Sequence, residues 1–199
     1  MRARWAVRLG LRDVLFGRKQ LKGPATERLF ALSTAAVTLD VSCGLQFGGA
    51  GALVYKPLSA GEFSAAQHDV DELLRAAAKE SGTEVEAKTD HFGFDWIVVR
   101  DKDLEDVVTS VHAAASELEA RGFGGQLLAA VFRFEGKDAE KPVYWVYGYK
   151  TGTFWPFVPT GEEQKRDNSE ELSLKAKLEH ELPVEQDLTR WLGLFGAPI

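Results

Sequence analysis

The sequence predicts an α+β fold in which helices pack on a mostly antiparallel sheet, and three observations support this class. Residues 62–80 and 103–121 repeat apolar positions with the 3.6-residue period of an amphipathic helix. Several shorter segments alternate their side chains with the two-residue period of a strand. Glycine and proline separate these segments at short intervals, which favours hairpins between neighbouring strands.

In the first half of the chain, helical segments surround one glycine-rich strand. A helical turn over residues 26–32 precedes a helix that Ser33 or Thr34 could cap and Gly44 would end. The glycines of residues 48–51 are interpreted as a turn, and residues 52–55 as a strand. The helix over residues 62–80 follows.

In the second half, strands dominate and a helical tail closes the chain. Residues 83–88 are an edge-type strand, because charged and apolar side chains alternate, and residues 90–93 are its hairpin turn. The remaining elements are a strand over 94–99, a helix over 103–121, strands over 126–135, 143–150 and 153–158, and a charged helix over 170–181 with an apolar tail. This order fits a split βαβ sandwich or a chaperone-like α+β sandwich, and the sequence does not separate the two.

Length and charge indicate one domain with a basic N-terminal arm. The chain has 199 residues, which we divide into an arm and linker over 1–24 and a single α+β domain over 25–199. Residues 1–22 contain seven basic residues and one acidic residue, whereas the whole chain has a net charge of −6. The body is therefore acidic, which argues against nucleic acid as a partner.

The arm itself combines arginines with scattered apolar residues such as Trp5, Leu9 and Phe16. This composition suggests a peripheral contact with an anionic membrane surface, which we keep as an alternative function. No segment has the length of a transmembrane helix or the apolar block of a secretory signal.

The segment over residues 142–169 is the most aromatic part of the chain and is predicted to form a hairpin and an exposed loop. Aromatic residues in strands are usually core. The functional interpretation is that side chains at the hairpin tip and the loop bind a partner, because tyrosine, tryptophan and arginine are enriched at strong interfaces. The predicted partner-binding residues are Tyr149, Lys150, Phe154, Trp155, Arg166, Asp167 and Asn168.

Reactive side chains form no recognisable catalytic or cofactor motif, so we expect a non-catalytic protein without cofactors or bound metal. One cysteine, Cys43, excludes an internal disulfide and a cysteine-based metal cage. The best acid–base cluster is Asp90 and His91 with Asp95. A small-ligand or enzymatic pocket near the 90–95 turn and the 166–168 loop, using Asp90, His91 and Arg166, is therefore a second alternative.

Several sequence segments together resemble the PspA-associated protein PspAB family. They are residues 28–39 (RLFALSTAAVTL), 149–157 (YKTGTFWPF), 166–168 (RDN), 181–185 (ELPVE) and 190–191 (RW). Family members begin near a segment like residues 10–17 (GLRDVLFG), which leaves residues 1–9 as additional.

The resemblance implies a cytoplasmic accessory factor of a PspA-type (phage-shock) membrane-stress system, with a PspA-like protein or another membrane-stress component as its partner. It implies no catalytic residues.

Overall fold

A six-stranded antiparallel sheet organises the structure, a computed structural model that describes residues 26–57, 72, 82–136 and 141–199. The strand order is β2-β3-β1-β4-β5-β6. The strands are β1 Leu45–Tyr55, β2 Glu84–Thr89, β3 Asp95–Arg100, β4 Leu127–Gly136, β5 Pro142–Gly148 and β6 Thr153–Phe157. The α+β prediction is confirmed, and β2, which was predicted to be an edge strand, is one of the two outer strands of this sheet, with β6 as the other.

The first four strands have the order of a split βαβ unit. β1 lies between β3 and β4, and the chain reaches β4 from β3 through the helix Leu104–Ala120, here α2. The edge strand β2 pairs only with β3 among the described strands. This arrangement favours the split βαβ sandwich of the two sequence alternatives, extended by the β5–β6 hairpin. The helix predicted over residues 62–80 lies outside the described residues except for Glu72, which is helical.

Strand β1 is longer than predicted. The glycines interpreted as a turn are part of the strand, and its register with β4 shifts between Phe47 and Gly51. Gly49 has a φ of 73°, which glycine adopts at little cost, so the strand can accommodate an irregularity at this point. Gly51 also permits the close approach of α2, because a Cβ atom there would lie 2.6 Å from Val107 Cγ1.

A short 3₁₀ helix, Thr26–Phe30, leads directly into α1, Ala31–Cys43. The expected cap at Ser33 or Thr34 is wrong, because the helix already begins at Ala31 and has no side-chain cap. The preceding 3₁₀ turn continues into α1, so its start needs no separate capping side chain. Gly44 ends α1 with a φ of 68°, and its N–H bonds to helix carbonyls, as predicted.

Helix α2 begins at the predicted place. Asp103 is its N-cap and accepts a hydrogen bond from Glu105 N at 2.8 Å, and Glu105 and Asp106 lie in the first turn. These acids suit the positive end of the helix dipole. Helix α1 contacts α2, strand β1 and the helix Asn168–Leu178, here α3.

The segment after α3 follows an irregular path with one 3₁₀ turn, Leu188–Arg190. It packs on the sheet, as the apolar tail was predicted to do: Tyr144 Oη donates to the Ile199 carbonyl at 3.3 Å, and the Phe195 ring lies edge-on to Phe157 at 5.0 Å. We call residues 183–199 the C-terminal strap. Trp191 and Ile199 of the strap are buried, so it forms part of the hydrophobic core.

Candidate interaction surface

The aromatic rings of the β5–β6 hairpin are buried, which corrects the prediction that they form an exposed contact patch. Tyr149, Phe154 and Trp155 are each exposed by 5 % or less. Lys150, at the tip, is exposed as predicted. The three predicted rings therefore belong to the core. Of the four predicted residues in this hairpin, Lys150 alone is exposed enough to contact a partner.

Burial of the rings follows from their neighbours on the sheet. Tyr147 lies 4.7 Å from the Phe154 ring and 5.4 Å from the Tyr149 ring, so the three side chains pack as one cluster. Burial raises the pKa of Tyr147 to about 12, and it raises the pKa of Tyr149 further. Neutral phenols in a dry environment are typical of core residues.

The C-terminal strap covers the outer edge of β6. Phe154 N donates to the Pro183 carbonyl and Glu185 N donates to the Phe154 carbonyl, each at 2.8 Å, so the strap makes a short parallel bridge. The indole N–H of Trp155 donates to the Leu192 carbonyl at 3.1 Å. The outer edge of β6 is therefore partly paired with the C-terminal strap, which is distant from it in the sequence.

The three predicted loop residues have structural partners. Arg166 Nε donates to both carboxylate oxygens of Glu171 at 2.9 Å, and Arg166 Nη1 donates to the Trp191 carbonyl at 2.7 Å. Asp167 caps α3 by accepting a hydrogen bond from Glu170 N at 3.0 Å. Asn168 is the first residue of that helix and is exposed. Arg166 therefore joins the loop, α3 and the strap.

The residues of the predicted ligand pocket are not brought together. Asp90 and His91 lie at the β2–β3 turn, whereas Arg166 lies beside β6. The two edges are five strand spacings of about 4.8 Å apart, which is too far for one small-molecule site. Among the described residues there is also no group of three or more His, Cys, Asp or Glu that could hold a metal ion.

A shallow depression of about 90 Å³ lies beside the 90–95 turn. Its lining residues are Tyr55, Ala87, Lys88, Thr89 and Asp95. Asp95 is buried and accepts a hydrogen bond from Thr89 Oγ1 at 2.8 Å. Sites for small molecules usually have volumes of about 300–1,000 Å³, so a ligand in this depression would have to be very small.

The β2–β3 turn is held in one conformation by Asp90. Its Oδ1 accepts from Phe92 N at 2.9 Å and Phe94 N at 3.0 Å, and its Oδ2 accepts from Trp96 Nε1 at 2.9 Å. Partial burial by itself would raise the pKa of Asp90, but these three hydrogen bonds outweigh it, and the pKa is lowered. Asp90 therefore acts as a structural anchor of the turn.

Three aromatic side chains project from this turn, and we call His91, Phe92 and Phe94 the aromatic tip. Phe92 is 65 % exposed and Phe94 is 37 % exposed. The His91 ring lies 3.7 Å from the Phe92 ring. The sequence prediction places Phe92 in the hairpin turn and Phe94 at the start of the returning strand, and it assigns neither ring to a contact surface. One signal in the sequence is Phe92, a large apolar ring in the middle of a turn, where no neighbouring strand residue can cover it.

A second exposed apolar feature lies on α1, where Val37 and Val41 are 72 % and 78 % exposed. No helix in the described part of the chain has the length and apolar character that crossing a bilayer requires. The arm over residues 1–24 lies outside the described residues, so its contact with a membrane surface stays a prediction.

Fold and surface together define a class: an α+β protein whose described residues form one antiparallel sheet with an exposed aromatic turn at one edge. The family model described as PspAB, PspA associated protein B, matches residues 9–199. The chain therefore belongs to the PspAB family, as its sequence resemblance implied. No curated protein and no solved structure matches it.

Proposed function

We propose that this protein is a non-catalytic accessory factor that binds PspA in the cytoplasm, as part of a PspA-type (phage-shock) membrane-stress system. Membership of a family described as PspA-associated supports the partner. The observation that carries the proposal is the aromatic tip, where Phe92 and Phe94 are exposed on a turn that Asp90 holds in place.

A rigid aromatic turn suits protein recognition for two physical reasons. Phenylalanine is enriched at interfaces because it buries a large apolar area with few rotatable bonds. A turn already fixed by Asp90 loses little conformational entropy when a partner orders it further. The free energy gained by burying the two rings against a partner is therefore offset only slightly by the entropy of ordering the turn.

The non-catalytic part of the proposal is supported by how the acid–base candidates are used. Both carboxylate oxygens of Asp90 accept hydrogen bonds within the turn, so this group is committed to structure. His91 contacts the Phe92 ring at the exposed surface, where bulk water reaches its imidazole.

Replacing the rings by F92S/F94S tests the proposal. We expect capture of purified PspA to weaken by at least about tenfold, which corresponds to losing roughly 1.4 kcal/mol of binding energy. The matched control is L172S, because Leu172 is also an exposed apolar residue but lies on α3. It should bind as the wild type does.

Circular dichroism and thermal unfolding would confirm that both variants keep the native fold. Undiminished capture of PspA by folded F92S/F94S would refute the aromatic tip as the contact site. Equal losses in F92S/F94S and L172S would mean that general surface hydrophobicity, and not this turn, governs the association.

A further inference from the structure

The two exposed valines of α1 form a ridge on the side of the helix that faces away from the core. Val37 and Val41 are four residues apart, so their side chains lie one above the other. The opposite side of α1, which carries Leu32, Ala35 and Leu39, is fully buried. Isolated exposed valines need no explanation, but two stacked on one helix face form a continuous apolar strip.

Acidic groups flank this valine ridge on both sides. At about 100° per residue, Asp40 lies roughly 60° from Val37 on one side, and Thr38 lies roughly 60° from Val41 on the other. Asp40 is exposed. Thr38 Oγ1 donates to Glu181 Oε1 at 2.7 Å, which holds a second carboxylate beside the ridge. A segment that fits here would present apolar side chains with basic residues around them.

We propose that the valine ridge is the docking site of this chain's own N-terminal segment, residues 2–16. The segment has four basic residues and one acidic residue, which complements the acidic rim of the ridge. It also supplies apolar side chains, with Arg8 and Arg12 between them. Its apolar residues include Trp5, Val7, Leu9, Leu11, Val14, Leu15 and Phe16.

Chain connectivity allows this contact within one molecule. Residues 17–25 join the segment to Thr26, where the 3₁₀ helix that leads into α1 begins. Nine extended residues span about 30 Å. From Thr26 to Val41 the helical path is only about 25 Å. The segment can therefore reach the whole ridge without leaving its own domain. The proposal concerns a contact inside the chain and does not depend on PspA.

Limited trypsin digestion of the full-length protein tests the docking, because the segment contains the cleavage sites. Cleavage of a docked segment requires its transient release, so the rate follows the population of the released form. In the V37S/V41S variant we expect cleavage after Arg8 and Arg12 to accelerate roughly tenfold. D40K, which keeps the valines, should accelerate it by a smaller factor, and L172S should leave it unchanged.

Identical cleavage rates in wild type, V37S/V41S and D40K would overturn the proposal. Because the replaced residues are exposed, circular dichroism should show native helix content in all variants. The digestion is repeated over a wide range of protein concentration. A rate that falls as the concentration rises would assign the ridge to the N-terminal segment of a second copy, and would also overturn docking within one chain.

Discussion

The β5–β6 and β2–β3 hairpins contain the same kinds of side chain but use them in opposite ways. The β5–β6 hairpin has more aromatic residues, and its rings are covered by neighbouring side chains and the C-terminal strap. The β2–β3 hairpin belongs to the less apolar edge of the sheet, and it exposes Phe92 and Phe94. Aromatic content along the sequence therefore does not identify the contact surface; what covers each hairpin decides it.

Replacing one ring in each hairpin by alanine gives the largest expected contrast. Phe154 is fully buried, so F154A should lower the free energy of unfolding by about 3–5 kcal/mol through lost burial and a residual cavity. F92A should change it by less than about 0.5 kcal/mol, because Phe92 is mostly exposed. Chemical denaturation of the two variants measures both. Similar losses in the two variants would remove the distinction between the hairpins.

The next largest effect is expected at the ion pair beside the β5–β6 hairpin. In R166A the Glu171 carboxylate, which is only 2 % exposed, would lose its cationic partner and keep its bond from Val158 N at 2.9 Å. We expect a loss of about 2–3 kcal/mol in the free energy of unfolding. K150A is the matched control at the exposed tip and should be neutral. A neutral R166A would show that Arg166 is free to serve the partner-binding role first predicted for it.

A smaller effect is expected in the β2–β3 turn. D90A removes three hydrogen bonds and should cost about 1–2 kcal/mol in the free energy of unfolding near neutral pH. The pKa of Asp90 is lower in the folded state, so its contribution is present above the unfolded pKa and is lost as the pH falls through the folded pKa. The difference between wild type and D90A should therefore shrink below about pH 4. A difference that grows on acidification would contradict this.

Much of the fold could be predicted from local patterns. Helix α2 follows from its apolar period and from Asp103 at its start, and the end of α1 follows from Gly44. Pro156 cannot donate a backbone hydrogen bond, and β6, which contains it, is an outer strand of the sheet. Each of these features depends on residues within a few positions of one another, so a single sequence contains the necessary information.

The candidate site could not be predicted in the same way, because exposure depends on contacts between distant segments. Trp155 is buried, and its indole N–H donates to the Leu192 carbonyl of the strap. Arg166 donates hydrogen bonds to the Glu171 carboxylate and the Trp191 carbonyl. Conversely, Val37 and Val41 occupy an apolar helix yet face outward. The sequence contains the residues of the aromatic tip, but nothing local shows that Phe92 and Phe94 remain exposed in the fold.

Photo-crosslinking from the two hairpin tips tests the central claim most directly. A benzoylphenylalanine side chain is placed at Phe92 in one variant and at Lys150 in another, and both positions tolerate the change because they are exposed. After irradiation with purified PspA, the account predicts a covalent adduct from position 92 and none from position 150. An adduct from position 150 alone would contradict the account and return the contact surface to the β5–β6 hairpin.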